Sequence, residues 1–61
     1  MKQRDLIKKL ESAGFTLVRH GSNHDVYIRI TENGTETETV PRHKEINEKL
    51  ANAVLKRRGL L

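Results

Sequence analysis

The chain has no cysteine, so neither a disulfide nor a thiolate metal site can brace it. It has no cluster of carboxylates of the kind that performs paired acid–base chemistry, and only one tyrosine. No apolar run approaches the roughly 20 residues that a membrane-spanning helix requires. The opening Met1-Lys2-Gln3-Arg4-Asp5 leads into a charged amphipathic stretch without the apolar core of a signal peptide, which predicts a cytoplasmic protein. Three histidines are present, but none has a partner histidine or carboxylate on one helix face, so no zinc site and no cofactor are expected. Linkers, repeats and low-complexity segments are also missing, and the 61 residues read as one domain over 1–61. A chain this short buries only about 60% of the surface it exposes when unfolded. With disulfide and metal excluded, a protein partner is the reinforcement left open.

What is present is positive charge. Twelve Lys or Arg against eight Asp or Glu give a net charge of +4. Such a balance attracts phosphate polymers by counterion release, and it also suits an ordinary soluble surface.

Periodicity sets the elements. Leu6, Ile7, Leu10 and Ala13 form one apolar stripe, with Lys8, Lys9 and Glu11 on the other face, which predicts a helix over 2–13 ended by Gly14. Phe15 is expected to pack back onto that stripe. Residues 15–20 suit a strand, broken by Gly21-Ser22-Asn23. From His24 to Thr31, Val26, Ile28 and Ile30 alternate with Asp25, Tyr27 and Arg29. Asn33-Gly34 signals a hairpin into a strand over 35–40, polar on both faces and stopped by Pro41. A second helix over 48–58 follows Asn47 as N-cap, with Ile46, Leu50, Ala53, Val54 and Leu55 as its apolar face and Gly59 as its stop. The fold class is α+β, in the order α-β-β-β-α. Two helices on one face of a three-stranded antiparallel sheet would bury every apolar stripe.

Several residues could carry chemistry. RNA supplies its own nucleophile, and its cleavage needs proton transfers at the 2′- and 5′-oxygens, which a histidine with a pKa near about 6.5 can perform. His24 closes the turn and stands at the mouth of a strand, as general base or general acid. Gly21 would let backbone N–H groups approach a phosphate, and Ser22 and Asn23 add short donors. An ordinary strand-to-strand turn explains the same three residues. His20 and His43 are rivals for a second proton transfer, and four residues' separation could let His20 share a cleft with His24. Arg42, His43 and Lys44 gather before the second helix, whose N-terminus would also favour an anion. Tyr27 could stack on a base or pack. Lys56, Arg57 and Arg58 suit a helix C-terminus better than RNA contact.

Taken in order, Gly14-Phe15, Gly21-Ser22-Asn23-His24, Tyr27, Pro41-Arg42-His43 and the closing Leu55-Lys56-x-x-Gly59-Leu60 resemble the HicA toxin family across essentially the whole chain. That resemblance implies a double-stranded-RNA-binding-domain-like fold, metal-independent endoribonuclease cleavage of mRNA, and neutralisation by a HicB-type antitoxin. It also implies that His24 is catalytic. A non-catalytic double-stranded-RNA-binding module shares the element order, but would want a lysine cluster at the second helix. Here Lys44 and Lys49 are diluted by Glu45 and Glu48. A protein-binding adaptor with an incidental basic surface is the remaining alternative.

Overall fold

A computed structural model describes residues 1–61. Its elements are α1 (Gln3–Ser12), β1 (Thr16–His20), β2 (His24–Thr31), β3 (Gly34–Pro41) and α2 (Glu48–Arg57). The strands form one antiparallel sheet in the order β1-β2-β3. Both helices cover one face of it, as the α-β-β-β-α pattern implies. The core joins Leu6 and Leu10 of α1, Phe15, Tyr27 and Val40 of the sheet side, Ile46, and Ala51, Val54 and Leu55 of α2. Phe15 does fold back onto the α1 stripe and is buried there.

The ends of the elements follow local chemistry. Gly14 takes φ +99 after α1, the left-handed conformation that closes a helix. Asn47 caps α2, its Oδ1 accepting from the Lys49 N–H at 2.8 Å. The reversal between β2 and β3 is made by Glu32 and Asn33, with Gly34 opening β3 at φ +123. At α1, the first helical N–H, from Gln3, donates to the Lys44 carbonyl at 3.0 Å. The Met1 ammonium bonds the Ile46 carbonyl and the Glu48 carboxylate. These contacts seat the 42–46 connector against the start of α1.

Three expectations are corrected. The apolar row of β2 is not the buried one. Tyr27 pairs with Glu38, Asp25 with Val40 and Arg29 with Glu36, and this row faces the helices. Val26, Ile28 and Ile30 lie on the uncovered face, Ile30 being 77% exposed. The inward row is tolerable because each of its charges is partnered. Second, β3 is an edge strand but is not polar on two solvated faces: Val40 is buried and Glu38 is only 4% exposed. Glu38 accepts from Arg57 at 2.9 Å and from Arg58 at 2.6 Å. The bond to Glu38, with its negative charge, holds the Arg57 guanidinium above its ordinary pKa. Third, the inward stripe of α2 runs through Ala51, Val54 and Leu55, at i, i+3 and i+4, leaving Leu50 and Ala53 exposed. Arg58 reaches over the Phe15 ring, 5.5 Å from its centroid, and Arg29 lies at 4.7 Å. The two arginines are therefore committed to the fold.

Glu38→Ala should destabilise the chain by about 2–3 kcal/mol in urea titration, short of the roughly 3–5 kcal/mol for a fully enclosed pair because Arg57 is half-exposed. The exposed Glu32→Ala serves as control, within about 0.5 kcal/mol of the parent. A Glu38 variant matching that control would show that the pair is not a stabilising contact.

Candidate active site

The β1–β2 hairpin is built around a glycine. The Gly21 N–H donates to the His24 carbonyl at 2.8 Å. A Cβ added at Gly21 would come within 2.3 Å of that carbonyl oxygen, so no side chain fits. The need for glycine here is close approach, not a positive φ. This amide is therefore spent inside the turn rather than offered to a phosphate. Ser22 and Asn23 are exposed at the tip.

His24 is the first residue of β2, exposed and paired across the sheet with Pro41. Side chains alternate along a strand. With Asp25 turned inward, His24 emerges with Val26 on the uncovered face. Its imidazole makes no hydrogen bond or ion pair within the fold, unlike that of His20.

His20 does not share a cleft with His24. A register shift at Val18 inserts one extra residue into β1 and brings His20 opposite Asp25. A regular strand with Leu17 inward would have sent His20 outward. The His20 Nδ1 lies 2.7 Å from Asp25 Oδ1. Asp25 is 5% exposed, whereas the His20 side chain is 63% exposed. The two histidines thus leave the same hairpin on opposite faces.

Arg42 reaches this pair from the end of β3. Its Nε lies 3.7 Å from Asp25 Oδ1, and one terminal nitrogen donates to the Gly21 carbonyl at 3.0 Å. Its backbone N–H donates to the Asn23 carbonyl, also at 3.0 Å. His43 and Lys44 follow, both exposed. The expected anion site at the start of α2 is already filled by the Asn47 cap, with Glu48 beside it. The connector instead meets α1, where Lys44 shares a small recess of about 100 Å³ with Lys2, Gln3 and Arg4. Lys2 and Arg4 were missed as candidates, since only the tertiary Lys2–Glu45 bridge brings them there. Tyr27 is buried in the core and presents no ring face for stacking. No group of three or more His, Asp or Glu side chains is assembled that could hold a metal ion.

The family model described as the HicA toxin of bacterial toxin–antitoxin systems matches residues 3–60. The chain belongs to the HicA toxin family. Neither the curated proteins nor the solved structures gave a match. Membership makes this chain a toxin-family protein whose counterpart is an antitoxin. No helix of it is long and apolar enough to cross a membrane.

Two measurements check this geometry. His24→Ala should leave stability within about 0.5 kcal/mol of the parent, as for any exposed substitution; a large fall in melting temperature would make the imidazole structural. Burial, reinforced by the charges of Asp25 and Glu11, raises the Tyr27 phenol above its ordinary value of 10.0. The folded chain then holds that proton more tightly than the unfolded one. Tyr27's contribution to stability is complete below the unfolded value and is lost as pH rises through the folded one. As the chain has one tyrosine, phenolate absorbance should titrate later in native than in denatured protein. Coincident curves would place the ring in solvent.

Proposed function

We propose that this protein is a cytoplasmic endoribonuclease, working as one domain over residues 1–61, that cuts mRNA with His24 as general acid or base and needs no metal. The observation that carries the reading is the His24 imidazole itself. It is exposed at a hairpin tip shaped by Gly21, and no intramolecular bond occupies it. His20, by contrast, is bonded to Asp25, and the equally unbonded His43 stands on the connector rather than on the hairpin.

The chemistry asks little else of the protein. The 2′-hydroxyl attacks the adjacent phosphorus, the P–O5′ bond breaks, and the proton lost from one oxygen is balanced by the proton gained at the other. A positioned imidazole supplies about 10²–10⁴-fold through such a transfer. Ser22 and Asn23 at the tip, with His43 and Lys44 on the connector, stand where they can bind flanking phosphates. Lys2 and Arg4 extend that basic ground along the start of α1. An antitoxin of the HicB type silences the toxin by covering His24, and an acidic surface would reach this ground fastest.

The test is an RNA-cleavage gel in excess EDTA on a long unstructured transcript, comparing parent, His24→Ala, and parent with its antitoxin. Cutting in the first lane alone is expected. Equal cutting by His24→Ala would remove the histidine from catalysis. RNA bound but intact in every lane would instead favour the double-stranded-RNA-binding module, whose element order this chain shares.

A further inference from the structure

Arg42 is the one residue that grips both ends of the catalytic hairpin. Its guanidinium holds the Gly21 carbonyl where the turn begins, and its backbone N–H holds the Asn23 carbonyl where the turn ends. The same guanidinium faces the buried Asp25 carboxylate, which also accepts from His20. Asp25 is the chain neighbour of His24, so whatever fixes Asp25 fixes the strand from which His24 projects. The next residues, His43 and Lys44, are exposed on the connector.

We infer that Arg42 is a positioning residue for RNA cleavage. With Asp25 it clamps the Gly21–Asn23 turn to the 42–44 connector, so that His24 is held as one rigid unit with His43 and Lys44. The inference rests on the ribonuclease reading and departs from it at one point: Arg42 acts through His24 and does not itself bind a phosphate. Its geometry favours this role. A guanidinium presents donors on separate nitrogens of a planar fork, here one toward a carboxylate and one to a carbonyl, a spacing that the single nitrogen of an ammonium does not reproduce. Misplacing a catalytic group by about 1 Å lowers rates by about 10²-fold, so a clamp of this kind is felt in the chemical step.

The charge of Arg42 separates the two roles. Each phosphate contact to single-stranded nucleic acid contributes about 0.7 to the slope of log affinity against log salt. Binding of an unstructured RNA oligonucleotide would be measured in a His24→Ala background, where the RNA stays intact, with and without Arg42→Gln. Cleavage at saturating RNA would be measured in the His24 parent, Arg42→Gln and Arg42→Lys. A positioning role predicts an unchanged salt slope, a cleavage rate lowered by about 10²-fold in Arg42→Gln, and no rescue by Arg42→Lys although the charge is restored. Asp25→Asn should slow cleavage in the same direction.

Hydrogen exchange reads the clamp without chemistry. In Arg42→Gln, the amides of Gly21 and of position 42 should lose protection together, while the β2–β3 ladder keeps its own. A salt slope shallower by about 0.7 with the saturated rate intact would make Arg42 a phosphate contact and overturn the inference. Full rescue by Arg42→Lys, or unchanged protection at both amides, would do the same. A parent that binds RNA yet cuts none would defeat the ribonuclease reading instead, leaving exchange alone to decide whether the clamp exists.

Discussion

The row Asp25, Tyr27 and Arg29 faces the helices, and that choice of face governs most of what surrounds it. Turning Tyr27 inward gives the small core its second aromatic ring beside Phe15. It also carries two charged residues of β2 and two of β3 toward the interior, since cross-strand partners share a face. Charges so placed must be answered. Glu38 draws Arg57 and Arg58 off the end of α2, Glu36 takes Arg29 at 2.7 Å, and Asp25 takes His20. The rim of the core is thus an ion-pair belt, and the end of α2 is tied to the edge strand by it.

The same constraint explains how the site is made. Asp25 lies inward because Tyr27 does, two residues on, and His24 lies outward because Asp25 does not. One strand therefore delivers a buried carboxylate and an exposed imidazole in succession. The buried member gathers His20 and Arg42, and through Arg42 the tip of the hairpin. The exposed member is left without a partner. Rigidity and availability are assigned to adjacent residues by the pleat alone.

Much of this was legible in the residues. Gly14, Asn47, Pro41 and Gly59 punctuate the chain where they were expected to, and the stripe on α1 was read in full. So were the element order, the family and the location of His24. The face of β2 was not legible, because alternation favours the wholly apolar row Val26, Ile28 and Ile30, whereas the row that goes in is decided by partners far off in the sequence. The deciding partners, Arg57 and Arg58, lie 19 and 20 residues from Glu38. The His20–Asp25 pair was hidden by the irregular register at Val18, which no periodic reading anticipates. The glycine of the turn was recognised, but its reason, the His24 carbonyl against its α-carbon, needed coordinates.

The uncovered face of the sheet has its own character. Val26 stands opposite Thr39, Ile28 opposite Thr37 and Thr16, and Ile30 opposite Thr35, so every one of these cross-strand pairs is β-branched on both sides. Such side chains are restricted at χ1. They give up little rotamer entropy on being immobilised. Apart from Arg19, which stands opposite Val26 on β1, the face running away from His24 is thus conformationally quiet in solution, and a molecule settling on it would order little that was not ordered already.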